Sequence, residues 1–288
     1  MKMKKTITLL LCCVVLMGLL ISGCKPKAVS EKPLVYTTIE PLRFFAEQIA
    51  GDHFQIVTLV PQGSSPETYD PTPQQLVELA ESQAYLAVGG LGFENQWLGK
   101  LAENAPKVRF CNTSEGLQLL QNEHQHEGEG AVEPHIWTSP SNALVMARNI
   151  CNLFCEMDPE HREEYVQNLT GLGTLIQQTD AEIRTIHEQG MQPAFAIYHP
   201  TLTYFANDYG LTQLCIEQDG KEPSPARLKD LIEQCRTLGV KVMFIQQEFN
   251  THNAEIIAQE IGAQLVTINP LSYNWQEEMV RIANTLKK

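Results

Sequence analysis

The chain has 288 residues, of which 43% are hydrophobic and 19% charged, with 18 Gly and 16 Pro; this is a globular composition, not a disordered, collagen-like or multi-span membrane one. That length suits one large domain or two modest ones. A formal charge of −13, from 34 acidic against 21 basic residues, repels phosphate backbones, so the expected partners are cations and not nucleic acid.

At the amino end, Lys2, Lys4 and Lys5 precede an apolar run from Thr6 to Ile21, and the small residues Ser22 and Gly23 precede Cys24. The pattern predicts an export signal over residues 1–23, since the apolar run falls short of the roughly 20 residues that cross a bilayer as a helix. Ile21-Ser22-Gly23-Cys24 also resembles the lipobox of bacterial lipoproteins, in which the cysteine is lipidated and becomes the new amino terminus. The expected mature protein is therefore exported and anchored to a bacterial membrane through lipid on Cys24, facing a periplasm or the cell surface, because several acyl chains on one residue anchor stably. Residues 24–33 read as a tether. Cys111, Cys151, Cys155, Cys215 and Cys235 remain, an odd set that is not a disulfide framework. Cys151 and Cys155 lie in an apolar helical stripe with Ile150, Leu153 and Phe154, which favours core packing over metal ligation.

Strand-like runs then alternate with helical patterns: Leu34 to Thr37 and Leu42 to Ala50, Phe54 to Val60 and Gln74 to Glu81, Ala84 to Val88 and Phe93 to Glu103, then Lys107 to Phe110. Strand followed by helix, repeated, predicts parallel βα units. A polar stretch over 121–134 interrupts the rhythm, and helical periodicity resumes from Ser141 to Met157 with Pro140 in its first turn. Asp158-Pro159 opens a second helix, whose apolar positions Tyr165, Leu169, Leu172, Leu175, Ile176, Ile183 and Ile186 lead to Gln189 before Gly190 and Pro193 stop it. About 30 helical residues extend roughly 45 Å, more than one small lobe uses, so this segment reads as a connector. The alternation returns in Ala194 to Tyr198, Thr201 to Asp208, Leu211 to Ile216, Ser224 to Thr237, Val240 to Ile245, Asn253 to Ile261, Leu265 to Ile268 and Trp275 to Leu286. The expected fold is α/β: a βα lobe over 34–157, one long rigid helix over 158–190 and a second βα lobe over 191–288, both sheets parallel.

Ligands in open α/β sheets sit beyond the carboxyl ends of the strands. Three segments qualify: the run from Gln62 to Pro73, which holds Glu67; the proline-bracketed Glu133-Pro134-His135-Ile136-Trp137-Thr138-Ser139-Pro140; and Tyr198-His199-Pro200. Alone, each histidine reads as readily as a cap or a satisfied polar group.

Together with Pro41-Leu42 and Ala46-Glu47-Gln48-Ile49-Ala50-Gly51, Gly90-Leu91-Gly92-Phe93-Glu94, Tyr204-Phe205-Ala206, Tyr209-Gly210 and Glu222-Pro223-Ser224-Pro225, these segments resemble the zinc/manganese solute-binding lipoproteins of metal ABC importers, in order and over nearly the whole chain from Leu34. The resemblance implies two α/β lobes bridged by a rigid helix, with a divalent metal held between them by one residue from each of four places. It further implies zinc as the cargo, with Mn²⁺ or Fe²⁺ as alternatives, a permease of an ABC importer as partner, a monomer and no enzymatic activity. His135 and His199 fall on the second and third ligand positions. The first departs from the pattern: Pro66-Glu67-Thr68-Tyr69-Asp70-Pro71 stands where the family reads Pro-His-x-Tyr-Glu-Pro, and Glu67 takes the place of a histidine. A carboxylate still ligates zinc at about 2.0–2.2 Å, though it hardens the site. The fourth position is left among Asn269, Asn274, Glu277 and water.

His124 and His126, among Glu123, Glu127, Glu129 and Glu133, read either as a solvated acidic loop or as a short version of the metal-collecting His-rich loop of zinc-type members. Two other classes compete for the same residues: a metal-dependent hydrolase with Glu67 as general base, and an adhesin or structural lipoprotein with a degenerate site. No His-Glu-x-x-His, Gly-x-Ser-x-Gly or phosphate-loop motif supports the hydrolase.

Overall fold

The computed structural model describes residues 32–121, 132–217, 224–249 and 251–288. The export signal, Cys24, His124 and His126 lie outside the described residues. Strands β1 (Leu34–Thr37), β2 (Gln55–Thr58), β3 (Ala84–Ala87) and β4 (Arg109–Asn112) pair in parallel in the order β2-β1-β3-β4. Strands β5 (Ala194–Ile197), β6 (Thr212–Cys215), β7 (Val242–Gln246) and β8 (Gln264–Ile268) pair in parallel in the order β6-β5-β7-β8. The same winding is thus used twice: the first strand of each lobe is central, the second lies outside it, and the third and fourth cross to the other side.

Alternation along each strand sends neighbouring residues to opposite faces. In the first sheet Val35, Ala84 and Leu86 point to one side, and in the second Phe195, Ile197, Val242 and Phe244 do the same. All seven belong to one apolar cluster that also takes in helices α1 (Glu40–Ala50), α4 (Pro140–Met157), α5 (Arg162–Glu188) and α9 (Trp275–Thr285). The residues between them pack outward. Tyr36, Tyr85 and Ala87 meet Leu79 of α2 (Pro73–Ala80) and Phe93 and Leu101 of α3 (Gly92–Asn104). Ala194, Ala196, Met243 and Ile245 meet Leu231 and Cys235 of α7 (Pro225–Thr237) and Ile257 of α8 (Thr251–Ile261). The lobes therefore share their largest core, and residues Pro33–Lys288 form one compact unit.

Helix α5 has 27 residues and extends about 40 Å. It packs on α1 and α4 of the first lobe and on α9 of the second, through a stripe of Tyr165, Leu172, Ile176, Thr179, Ile183 and Ile186. It starts later than the sequence suggests. Asp158 is non-helical (φ −138°, ψ 76°), Pro159–His161 makes a separate 3₁₀ turn, and the α-helix begins at Arg162. Other starts carry their local signals: Ser139 accepts a hydrogen bond from the Asn142 amide ahead of Pro140, and Thr72 and Gln75 form a capping box ahead of α2. Cys151 and Cys155 sit in the shared core with their sulfurs 3.9 Å apart. Burial, with Cys155 beside it, pushes the Cys151 thiol up to about 12, so it packs as a small apolar group. Among the described residues no helix is long and apolar enough to cross a membrane.

Candidate metal centre

His199 lies two residues beyond the end of β5, the central strand of the second sheet, and the strands on either side fix its ring and backbone. Glu217, two residues beyond β6, approaches His199 Nδ1 with Oε2 at 2.6 Å. Gln246, the last residue of β7, donates from Nε2 to His199 O at 2.6 Å and to Thr201 Oγ1 at 2.8 Å. A carboxylate only accepts, so in the neutral imidazole of His199 the proton sits on Nδ1 and the lone pair on Nε2, the atom that faces a metal in this arrangement.

His135 arrives by another route to the same arrangement. It precedes a 3₁₀ turn, Ile136–Thr138, and its Nδ1 bonds the carboxylate of Glu133. The second oxygen of that carboxylate accepts from Thr203 Oγ1 at 3.2 Å, and Tyr204 Oη donates to Glu133 O at 3.0 Å, tying the segment to the second lobe. Burial pushes the Glu133 carboxyl up, but the His135 charge and hydrogen bonds, aided by the more distant His199, hold it below the usual range. Just beyond, Trp137 Nε1 donates to Pro270 O at 2.8 Å and Trp275 Nε1 donates to Trp137 O at 2.7 Å. Each imidazole is thus backed by its own carboxylate, an arrangement that orients a metal-bound histidine and raises its basicity.

Glu67 comes from the long loop after β2. The amide of Gly92, first residue of α3, donates to Glu67 Oε2 at 3.0 Å, where the positive end of the helix favours a carboxylate. A Cβ at position 92 would stand 2.7 Å from Glu67 O and 2.9 Å from Oε2, so this close approach requires glycine. Buried Glu94 holds the loop ahead of α3: it accepts from Thr38 Oγ1 at 2.5 Å and from the amides of Val88, Gly89 and Gly90 at 2.7, 2.7 and 3.0 Å. The other Glu67 oxygen, Oε1, lies 3.6 Å from His135 Nε2.

Ligand atoms of Glu67, His135 and His199 all lie within 4.8 Å of one another, and His135 and His199 are 3% and 5% exposed. They line a cavity of about 20 Å³ together with Trp137, Phe249 and Leu271. Its size suits one water-sized group, which matches a single ion. The apolar walls keep that space at low dielectric, where charge interactions are strong.

The structure brings together all three site residues read from the sequence. It does not bring Asn269, Asn274 or Glu277 to this cavity. Asn269 lines a neighbouring cavity with Gln62 and Gln247, while Asn274 and Glu277 are exposed at the start of α9. Besides Glu67, a second carboxylate lines the cavity, Glu248, which the sequence reading does not single out; its Oε1 is enclosed with no hydrogen-bond partner, and burial pushes the carboxyl up. A positional signal was present. His199, Glu217, Glu248 and the cavity-lining Pro270 each stand two residues beyond the last residue of β5, β6, β7 and β8.

Residues 35–288 match the protein family described as zinc-uptake complex component A, periplasmic. The chain is similar to the high-affinity zinc uptake system protein ZnuA of Bacillus subtilis, 27% identical over 265 residues that cover 86% of this chain and 81% of that one. It is also similar to the manganese ABC transporter substrate-binding lipoprotein PsaA of Streptococcus mitis, 26% identical over 281 residues that cover 93% of this chain and 90% of that one. The structure matches a crystal structure of ZnuA with a TM-score of 0.83 and 34% identity, covering 88% of this chain and 97% of that one.

Proposed function

We infer, from a chain that belongs to the zinc-uptake complex component A family, that this protein captures a divalent transition metal outside the cytoplasmic membrane and delivers it to the permease of an ABC importer. Zinc is the proposed cargo, and Glu67, His135 and His199 are its proposed ligands. The observation that carries the reading is the convergence of these three side chains, from three separate segments, on a cavity the size of one ion. Two imidazoles with carboxylate oxygen form a borderline donor set that takes zinc, and the carboxylate also admits manganese or iron. Glu248 is the proposed fourth ligand. With Glu67 it supplies two negative charges against the two positive charges of the ion, and binding would give its enclosed oxygen the partner that it lacks.

Holding an ion and hydrolysing a substrate make opposite demands. A catalytic metal keeps an open coordination position and needs room for substrate beside it. A cavity of about 20 Å³ walled by Trp137, Phe249 and Leu271 offers little such room, which supports a carrier over a hydrolase. Lipid on Cys24 would keep the carrier beside its permease, with residues 24–33 as the tether.

The test is a zinc and a manganese titration of chelator-stripped protein against a competing chelator, with elemental analysis of the protein as purified. One tight zinc equivalent and a raised melting temperature through mass action are expected. Glu67→His should widen the preference for zinc over manganese, and Glu67→Ala should weaken both. Absence of tight zinc binding, with no thermal shift at saturating zinc, would end this reading.

A further inference from the structure

A second group of metal-ligating side chains lies far from the cleft, where the loop before β2 meets the junction of α4 and α5. His53, Asp158 and His161 offer ligand atoms that all lie within 4.8 Å of one another. The two imidazoles stack with centroids 3.9 Å apart and planes 30° apart. Each has a carboxylate at its edge: Glu164 Oε2 is 2.9 Å from His53 Nε2, and Asp158 Oδ2 is 2.7 Å from His161 Nδ1. Tyr165 Oη also donates to Asp158 Oδ2 at 2.7 Å, which sets the carboxylate's position.

This convergence is built by the fold. His53 comes from the turn after α1, whereas Asp158, His161 and Glu164 come from the linking residue, 3₁₀ turn and first helical turn at the root of α5. The two segments are locked together beside the cluster, where Asn168 Nδ2 donates to Ile49 O at 3.0 Å. Two imidazoles and two carboxylates are a sufficient donor inventory for a four-coordinate divalent ion. A cation there is favoured twice: it would replace the protons shared between ring and carboxylate, and it would sit in a chain of net charge −13. The group is also independent of the cleft, because it lies before the amino end of β2 while Glu67 follows the carboxyl end of the same strand.

We propose that His53, Asp158 and His161, with Glu164 beside them, form a second divalent-cation site that staples the α1–β2 turn to the root of the long helix. Its side chains are 23% (His53), 26% (Asp158), 42% (His161) and 50% (Glu164) exposed, so solvent competes for the donors and the site binds more weakly than the cleft.

The test is a zinc titration of the chelator-stripped full exported chain, followed by stoichiometry and melting temperature. Wild type should take up a second, weaker equivalent, and the variant carrying His53→Gln and His161→Gln should lose that equivalent while keeping the tight one. With His199→Ala as background, zinc should still raise the melting temperature, and the two glutamine substitutions should abolish that rise. His53→Gln alone changes no residue of the α5 root itself and serves if the double variant folds poorly. Uptake of only one equivalent by wild type would overturn the proposal. So would a second equivalent that survives the glutamine substitutions but disappears when residues 122–131 are deleted.

Discussion

The two His-carboxylate clusters at opposite ends of the first lobe use the same donor types and differ in how the donors are held. In the cleft each imidazole leans on its own carboxylate, the rings are 3% and 5% exposed, and the donors come from both lobes. At the α5 root each imidazole also meets a carboxylate, but the two rings stack on each other, their side chains are 23% and 42% exposed, and every donor comes from the first lobe or the start of the connecting helix. Enclosure in the cleft raises the cost of gathering carboxylates without a cation, and it strengthens the attraction once a cation arrives. The difference teaches that donor chemistry alone does not set affinity: burial and prior orientation do, and they also decide whether metal binding is felt by the whole fold or by one corner of it.

The comparison breaks first, and most severely, at the ligands. His199→Ala or His135→Ala should weaken zinc binding by more than about 100-fold, beyond the 10–100-fold typical of losing an outer partner, and should remove the thermal shift due to the tight site; competition titration and calorimetry measure both. Glu217→Gln keeps an acceptor at His199 Nδ1 but drops the charge, so a loss near the lower end of that range, about tenfold, is expected in the same titration with the apo fold intact. Gly92→Ala should act through Glu67: the added methyl group overlaps the Glu67 backbone oxygen, the loop must shift, and zinc affinity should fall by less than in Glu67→Ala. The smallest effect sharpens the contrast. His53→Gln should leave the tight zinc constant unchanged, because the two clusters share no side chain.

Much of this was legible in the sequence, and what was not has a common physical cause. The strand and helix alternation showed through because it is local, written in periods of two and 3.6 residues. Asp158-Pro159 predicts the start of the long helix, but the α-helix starts at Arg162 after a 3₁₀ turn. Glu67, His135 and His199 stood out because each lies in a distinctive segment. The groups that work on them did not, since Glu217 and Gln246 reach His199 across 18 and 47 residues of sequence through strand pairing. Glu133 is visible as an acid of the polar loop and as the first residue of the His135 segment, but nothing local pairs it with the His135 ring. Asn269 is a natural candidate at the end of the last strand, but it stands one residue beyond β8, and alternation sends it to a different side from residues two beyond. The distant pairing of His53 with His161 left no local pattern.

The most direct measurement is anomalous diffraction at the zinc absorption edge from crystals of the zinc-loaded protein. The account predicts that the strongest peak lies between the lobes, about 2.0–2.2 Å from His135 Nε2, His199 Nε2 and a Glu67 oxygen. A strongest peak at any other place, or a cleft peak bound by other side chains with Glu67 turned away, would contradict it.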